Sequence, residues 1–429
     1  MPYEILTKET IVDYLKKTES MRKFFSSFDA LDIEEVGDGN LNFVYKITNQ
    51  KQPTETVVLK QAVPYLRCAG ETWPLSKERM NFEIMALETH KELHPEGIPD
   101  IYHHDKEMSL VIMRNLNRHK ILRGEMNQGK IFPQLADHIS TFLARTIFRT
   151  SDWYLGSHDK KESVKQFINK ELCELTENFI FTHPFYNASS NSYSPDLTPE
   201  DINYIHKDGR VRIAVAELRH RFKTGAECLV HGDLHTGSIM VNETDTYMID
   251  PEFAFYGPAG FDPGLFIGNL LLAYVAHGYR QEELLKRDPL PYRTWILDTI
   301  VQTWEQFVTK FNALWEAHII ASQDPFWHYE GALADHEKLR QNTIDGIFRD
   351  AVGFAGCEMV RRTLGIAKVS DVKEIEDTEA RAELERLSLQ IGKELITDRQ
   401  QIKSIQEVID IATRVSPLTT TPVASVKCC

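Results

Sequence analysis

The hydrophobic pattern of the chain changes near residue 115. At 36–59 and again at 110–113, apolar residues fall in short runs separated by Gly-, Asn- and Pro-containing segments. Short runs of this kind between turn residues are typical of antiparallel strands. Residues 7–28 and 76–93 instead carry apolar positions at helical spacing, which predicts two helices. The first part of the chain is therefore expected to be a small, mainly antiparallel sheet with helices beside it.

Beyond residue 115 the pattern is mostly helical, with apolar positions three and four residues apart as in helices that bury one face. Such helices are predicted at 131–150, 163–180, 210–224, 292–319, 337–364 and 378–413. We therefore predict an α+β fold with two lobes, a small sheet lobe at 1–115 and a large, mainly helical lobe at 116–415. Residues 416–429, rich in Thr, Pro and Val, are predicted to be a disordered tail.

Charge and composition limit the classes of partner. The chain has 429 residues with 49 basic and 63 acidic side chains, a net charge of −14. That balance argues against non-specific binding to nucleic acid or to anionic membranes. The longest apolar run, 265–276, is too short for a membrane span and is expected to be a buried helix. No signal-peptide pattern and no Cys-x-x-Cys pair is visible, so we expect a cytoplasmic protein with reduced thiols.

Acidic residues follow short apolar segments in a compact strand–loop–strand block at 228–250. His231-Gly-Asp233 ends the first predicted strand, and Asp250-Pro-Glu252 ends the next. Asp250 and Glu252 are two positions apart, so in an extended segment both face one cation. Phosphoryl transfer requires a carboxylate that orients the attacking hydroxyl and a metal that neutralises phosphate charge. Each residue alone would suit an ordinary turn, but the combination predicts Asp233 as catalytic base and Asp250 and Glu252 as metal ligands.

A glycine-containing turn and a lysine precede this block in the sheet lobe. Gly37-Asp-Gly39-Asn40 lies between the first two predicted strands, and such turns let backbone amides approach phosphate oxygens. A plain hairpin explains this turn equally well when it is taken alone. Lys60 ends the following predicted strand, where its ammonium group is expected to contact phosphates. Glu83 on the next predicted helix is its expected ion-pair partner, although two other glutamates of that helix compete for this role.

Taken together, these segments resemble the methylthioribose kinase family, within the broader aminoglycoside- and choline-kinase-like group. The resemblance covers nearly the whole chain. It is carried by residues 37–44, 70–75, 231–238 and 249–258, by Glu78-Arg79 and by Arg361-Arg362. This family has Asp-x-Glu where ordinary protein kinases have Asp-Phe-Gly. The resemblance implies a protein-kinase-like fold with the ligands between two lobes.

The resemblance also implies an activity and the residues that serve it. It implies that a cytoplasmic homodimer uses ATP and Mg²⁺ to phosphorylate the 1-hydroxyl of methylthioribose in methionine salvage. The residues implied to bind the nucleotide and its metal are Gly37, Gly39, Asn40, Lys60, Glu83, Arg114, Asn115, Leu116, Asp250, Pro251 and Glu252. Those implied to lie at the sugar are Asp233, Trp73, Arg361 and Arg362. A guanidinium is a permanent, forked donor, which suits hydroxyl or phosphate oxygens.

Two positions depart from related kinases. Ser238 stands where many kinases place an Asn that binds a second metal, and Arg114-Asn115-Leu116 stands where this family often has Glu-Asp-Leu. Other hypotheses stay open: a choline, homoserine or aminoglycoside kinase with the same core, or a nucleotide-binding pseudokinase. An arginine pair in the pocket would disfavour a cationic acceptor. The intact acidic residues and lysine argue against a pseudokinase.

Overall fold

The computed structural model describes residues 3–37, 41–66, 70–321 and 325–418. The first lobe is an antiparallel sheet with the strand order β1-β2-β3-β7-β6, beside a hairpin of β4 and β5. The strands are β1 (Leu31–Glu35), β2 (Asn42–Asn49), β3 (Thr56–Ala62), β4 (Tyr65–Leu66), β5 (Gly70–Pro74), β6 (Ile101–Asp105) and β7 (Leu110–Arg114). The predicted strands are present. The hydrophobic pattern missed β6, because its sequence, Ile-Tyr-His-His-Asp, contains few apolar residues.

Three helices pack on this sheet: α1 (Lys8–Lys17), α2 (Glu19–Phe24) and α3 (Arg79–Leu93). The single helix predicted at 7–28 is wrong, because Thr18 has extended backbone and separates α1 from α2. The apolar residues of α1 and α2 pack with one face of the sheet, in a cluster that includes Ile11, Leu15 and Leu59. α3 contacts β3 and β7. Glu83 on α3 is thereby brought to Lys60 on β3.

The described part of the second lobe is mostly helical, with five short strands among the helices. The helices are α4 (Leu122–Asn127), α5 (Leu135–Arg149), α6 (Ser157–Gln166), α7 (Lys170–Phe181), α8 (Pro199–His206), α9 (Gly209–Thr224), α10 (Phe261–Tyr279), α11 (Pro289–Ala321), α12 (Ala332–Leu364), α13 (Ser370–Lys373), α14 (Thr378–Asp398) and α15 (Ile405–Val415). The strands are β8 (Lys120–Ile121), β9 (Cys228–Val230), β10 (Ile239–Val241), β11 (Thr246–Met248) and β12 (Phe255–Gly257). The predicted two-lobe α+β fold is confirmed.

Helix α10 lies at the centre of the second lobe, and its apolar segment is buried as expected. Within the described chain, no helix is both long and apolar enough to cross a membrane. Gly260, Gly264 and Gly268 recur every four residues on the face of α10 that meets α12. A Cβ on Gly264 would lie 2.7 Å from the carbonyl oxygen of Ala351. The two backbones therefore approach closely, and this contact fixes the position of α12 relative to the centre of the lobe.

Two predicted helices of the second lobe are each broken into two. The helix predicted at 163–180 is α6 followed by α7, and the one predicted at 378–413 is α14 followed by α15. The second break ends at Ser404, whose side chain accepts a hydrogen bond from the backbone of Glu407 and so starts a new helix. The lobe boundary at 115–116 and the tail at 416–429 stay predictions, and residues 419–429 lie outside the described residues.

Candidate active site

The loop after β9 carries Asp233 and is held by helix α10. Asp262, near the start of α10, accepts hydrogen bonds from the backbone N–H groups of His231 at 2.6 Å and Gly232 at 3.0 Å. Gly232 has a φ of +84°, and a Cβ there would lie 2.2 Å from the carbonyl oxygen of Phe253. Only glycine fits this position without a shift of the backbone. The Asp233 loop therefore packs directly against the loop that follows Asp250.

The Asp250 loop is tied to the Asp233 loop by a second contact. The Nε2 atom of His231 lies 2.9 Å from the carbonyl oxygen of Ile249. Asp250 has a φ of +68°, a left-handed conformation that non-glycine residues adopt rarely and that Asp adopts more often than most. The sequence predicted that the strand before Asp250 directly follows the strand before His231. This prediction is wrong. β10 lies between them in sequence, and β9 pairs with β12, whereas β11 pairs with β10.

Lys60 connects the sheet lobe to the Asp250 loop. Its Nζ atom lies 2.8 Å from Glu83 Oε2, so the expected ion pair is present, and it also contacts Asp250. Burial lowers the pKa of Lys60, but the negative charges of Asp250 and Glu83 outweigh burial and raise it. Lys60 is therefore a charged ammonium group that bridges carboxylates from both lobes.

Glu252 is buried and held by two residues that the sequence did not single out as functional. The side-chain amide of Asn42 on β2 donates a hydrogen bond to Glu252 Oε2 at 2.7 Å. The Nε atom of Arg79 lies 3.7 Å from the same oxygen and donates at 3.1 Å to the side chain of Asn42. Burial and the neighbouring charge of Asp250 raise the pKa of Glu252, against the opposing effect of Lys60. Glu252 therefore has a fixed orientation and a neighbourhood that favours an additional positive charge.

Three carboxylates form a group that can bind a metal. Single oxygen atoms of Glu83, Asp250 and Glu252 lie within 4.8 Å of one another. Burial and the charges of Asp250 and Glu252 raise the pKa of Glu83, although Lys60 opposes them. Carboxylate oxygens are the ligands that hard divalent cations such as Mg²⁺ prefer. The donor set therefore fits a divalent cation, which would relieve the repulsion among these carboxylates.

Asp233 faces a histidine and two arginines. Its Oδ2 atom lies 3.2 Å from His235 Nε2, and its Oδ1 atom accepts a hydrogen bond from Arg361 Nη2 at 3.3 Å and lies 3.8 Å from Arg362 Nη2. Burial raises the pKa of Asp233, but His235 and the arginines outweigh burial and hold it well below its usual range. Asp233 and the arginine pair, which were all predicted to lie at the sugar, thus lie together in the structure.

His235 is a neutral ring beside Asp233. Burial lowers its pKa to about 4, so the ring is uncharged at neutral pH. The backbone N–H of Gly237 donates to Nδ1 at 2.9 Å, which makes Nδ1 the acceptor and leaves the proton on Nε2. Nε2 then lies 3.2 Å from Asp233 Oδ2. His235 therefore stabilises the ionised carboxylate without adding a charge.

The other predicted residues lie apart from these contacts or outside the described chain. Gly37 follows β1, whereas Gly39 and Asn40 lie outside the described residues. Trp73 on β5 has its ring centroid 6.2 Å from that of Phe179 on α7, so the β4–β5 hairpin reaches the second lobe. Its role at the sugar stays a prediction.

The segment between the lobes has its side chains engaged elsewhere. Arg114 donates a hydrogen bond to the hydroxyl of Tyr247 at 3.1 Å, and Asn115 donates to the hydroxyl of Thr56 at 2.8 Å. Leu116 is buried. The two polar side chains of this segment are therefore engaged with Tyr247 and Thr56.

Comparisons with known proteins support a phosphotransferase. Residues 184–295 match the phosphotransferase enzyme family. The chain is 40% identical to methylthioribose kinase 1 of Oryza sativa subsp. japonica over 411 residues, and this alignment covers 94% of each chain. It is 37% identical to the methylthioribose kinase of Geobacillus sp. (strain WCH70) over 406 residues, and this alignment covers 95% of each chain. A solved structure of choline kinase from Cryptosporidium parvum Iowa II is also similar, with 12% identity, a TM-score of 0.45 and coverage of 96% of this chain and 98% of that one.

The two methylthioribose kinases match this chain across both lobes, and their aligned length includes the loops of Asp233, Asp250 and Glu252. The family resemblance drawn from the sequence motifs is confirmed by this extent of identity. The chain is a kinase, and it belongs to the methylthioribose kinase family.

Proposed function

We propose that this enzyme transfers the γ-phosphate of ATP to the 1-hydroxyl of methylthioribose, giving the 1-phosphate that methionine salvage uses. The observation that carries the proposal is the position of Asp233, a half-buried and ionised carboxylate beside two arginines. The loop of Asp233 also contacts the loop of Asp250 and Glu252. The relatives named methylthioribose kinase support the choice of acceptor.

Asp250 and Glu252 would hold Mg²⁺, and that ion would neutralise charge on the phosphates of ATP when it is bound. Asn42 and Arg79 hold Glu252 in one orientation for this purpose. Lys60 would contact the phosphates, and Glu83 keeps its ammonium group in place from behind. Asp250 and Glu252, which would hold the cation, thus lie in the second lobe, whereas Glu83, which holds Lys60, lies in the first lobe.

Asp233 would orient the hydroxyl of the acceptor and take its proton. A carboxylate with a pKa far below its usual range is a weak base, and this suits a loose transition state in which the hydroxyl becomes acidic late. His235 and Arg361 fix both carboxylate oxygens by hydrogen bonds or short contacts. Asp233 would therefore act from a fixed position beside the acceptor.

The remaining assignments rest on the family resemblance. We propose that the Gly37, Gly39 and Asn40 turn, the backbone at 114–116 and Pro251 lie along the nucleotide, and that Trp73 approaches the sugar. The same resemblance supports a cytoplasmic homodimer. The positive charges of Arg361 and Arg362 beside Asp233 favour a neutral sugar over the cationic acceptors of a choline or aminoglycoside kinase.

A transfer assay with one catalytic variant tests the proposal. Mg-ATP is offered with methylthioribose, choline, homoserine and an aminoglycoside, and the phosphorylated position is identified by phosphorus NMR. We expect turnover with methylthioribose and a product phosphorylated at the anomeric carbon. Asp233→Asn should lower kcat by about a hundredfold or more, because general bases contribute about 10²–10⁴. Binding of ATP should be nearly unchanged.

Asp298→Asn is the matched control, because Asp298 is an exposed aspartate on α11 in the same lobe. It should keep wild-type kinetics. Turnover only with choline or an aminoglycoside would reject methylthioribose as the acceptor, and wild-type turnover by Asp233→Asn would reject the assignment of the base. ATP binding without transfer to any of these acceptors would favour a pseudokinase.

A further inference from the structure

Glu358 on α12 lies between the two arginines of the site. Its carboxylate is fully buried. The Nε–H group of Arg362 donates a hydrogen bond to Oε1 at 2.7 Å, and the Nε atom of Arg361 forms an ion pair with Oε2 at 3.0 Å. The spacing of three and four residues along one helix places all three side chains on the same face. One carboxylate therefore contacts both guanidinium groups, one with each oxygen.

This arrangement determines which atoms of the arginines face Asp233. Glu358 engages the Nε atom of each guanidinium, and the Nη2 atoms, which lie on the same edge as the Nε–H group, are 3.3 Å and 3.8 Å from Asp233 Oδ1. Guanidinium groups are rigid and planar, so fixing the Nε atom also fixes the position of the neighbouring Nη2 atom. Without Glu358, two adjacent buried cations would repel each other and would lose this orientation.

Glu358 is itself held from behind. The side-chain amide of Asn269 on α10 donates to Glu358 Oε1 at 2.9 Å, and Arg123 on α4 donates to Asn269 Oδ1 at 2.6 Å. A Cβ on Gly268 would lie 3.1 Å from the Cβ of Glu358, which shows how closely α10 covers this position. The carboxylate thus has little freedom to move, as expected for a group whose task is to fix its neighbours.

The charges of this group balance before the reaction. Two guanidinium groups face two carboxylates, Asp233 and Glu358, and His235 is neutral. Burial raises the pKa of Glu358, but the two arginines outweigh burial and lower it, so the group is ionised. When Asp233 accepts the hydroxyl proton, its charge is lost and one positive charge remains uncompensated beside the acceptor. That charge then attracts the newly transferred phosphate.

We propose that Glu358 is a positioning residue, which holds Arg361 and Arg362 with their Nη2 ends toward Asp233 and the acceptor. The inference rests on the proposed function for the identity of the acceptor. It predicts that Glu358 acts on the acceptor side of the site and only through the two arginines. The nucleotide side, built on Lys60 and Glu252, is expected to be unaffected.

The test replaces Glu358 with glutamine, which keeps the shape of the side chain and removes its charge. A glutamine amide accepts from one arginine, but its NH₂ group faces the Nε–H of the other, so one guanidinium loses its partner. We expect Glu358→Gln to lower kcat/KM for the acceptor by about tenfold or more, with the KM for ATP changed less than about twofold. Thermal denaturation of each variant shows that it is folded.

Glu385→Gln is the matched control, since Glu385 is a buried glutamate of the same lobe that contacts Lys368 and the backbone of Ser194. Its acceptor kinetics should stay within about twofold of wild type. A double-mutant cycle with Arg361→Ala and Arg362→Ala separates positioning from general structural support. If Glu358 acts through the arginines, adding Glu358→Gln to the variant without both arginines should cause little further loss of kcat/KM.

The proposal is overturned if folded Glu358→Gln has wild-type acceptor kinetics. It is also overturned if the loss of kcat/KM caused by Glu358→Gln adds fully to the loss caused by the arginine substitutions. Should Glu358→Gln not fold, Glu358→Asp is measured instead. It keeps the charge but is too short to reach both arginines, so the same selective loss is expected, and wild-type kinetics would overturn the proposal. If the wild-type enzyme phosphorylates another acceptor, the proposed function fails but the cycle is carried out with that acceptor.

Discussion

Charged side chains of the site are arranged so that each carboxylate meets a cation of fixed position. Asp233 meets Arg361 and Arg362, and Asp250 meets Lys60. Such pairs are costly to break on one side only, because the remaining buried charge loses its partner. Substitution of one partner of a pair is therefore expected to weaken binding of the substrate that the other partner contacts.

Arg361→Ala tests this expectation at the level of one residue. Arg361 contacts Asp233 and Glu358, so its loss should raise the KM for the acceptor by about tenfold while the KM for ATP changes little. A hydrogen bond to a charged group contributes about 1.5–3 kcal/mol, which corresponds to at least about tenfold in affinity. Arg349→Ala, an exposed arginine on the same helix, is the control for substitution in α12. Equal effects on both substrates would contradict a role at the acceptor.

The sequence predicted the residues of this site that belong to short, contiguous motifs. Asp233, Asp250 and Glu252 lie where the motifs indicated, and Lys60 pairs with Glu83 as expected. Asn42 and Arg79 lie within motifs of the family resemblance but were given no role, because their partners are distant in sequence. Glu358 was not singled out, because a lone glutamate on a helix is common. The spacing of Glu358 from the arginine pair was an available signal.

At the level of elements, the close contact of α10 with α12 positions the arginine pair. Gly264→Ala adds a methyl group where the backbone of Ala351 and the Cβ of Phe354 lie 2.7 Å away. The helices must move apart, so the free energy of unfolding should fall by about 1–3 kcal/mol. Because α12 carries Arg361 and Arg362, kcat/KM for the acceptor should fall as well. Urea denaturation and steady-state kinetics measure the two effects.

Gly278→Ala provides the control in the same helix. The atom nearest to a Cβ on Gly278 is 3.9 Å away, on the side chain of Arg293. Alanine is favoured over glycine in helices by about 0.8–1 kcal/mol, so this variant should be as stable as wild type or more stable. If both variants were equally stable, the close approach of α10 and α12 would not be limiting.

Element boundaries were the least predictable part of the fold. The breaks between α1 and α2, α6 and α7, and α14 and α15 contain neither glycine nor proline, so the hydrophobic pattern runs through them. The last break does carry a signal, since Ser404 and Glu407 have the spacing of a helix N-cap with its reciprocal partner. The tertiary contacts that place β6 and the β4–β5 hairpin have no counterpart in local sequence.

At the level of the whole molecule, buried neutral histidines should make the fold sensitive to acid. Burial, with smaller effects of His231 and His94, lowers the pKa of His90 from 6.5 to about 3. Between these values the unfolded chain binds a proton that the folded chain does not, so stability falls as the pH falls below about 6.5. His277 and His94 have pKa values lowered to about 3 and about 4, and they act in the same direction.

His90→Leu should reduce this acid sensitivity. Both ring nitrogens of His90 are buried without a hydrogen-bond partner, so leucine removes the titrating group without breaking a hydrogen bond. We expect the free energy of unfolding to fall less steeply between about pH 6 and pH 4, by about 1.4 kcal/mol per pH unit. Denaturation at several pH values measures the slope. His158→Leu, at an exposed position, should keep the wild-type slope, and an unchanged slope in His90→Leu would contradict the assignment.

The contact of Lys60 with both Glu83 and Asp250 has a consequence for which anions the cleft accepts. A phosphate compound without a metal ion would have to draw the ammonium group of Lys60 away from Asp250. The carboxylates that lose this contact would then repel the phosphate. An anion that carries a divalent cation replaces the positive charge that the carboxylates lose when Lys60 moves. Under the proposed function, we therefore expect the cleft to bind the metal-bound form of a nucleotide more tightly than inorganic phosphate or free nucleotide.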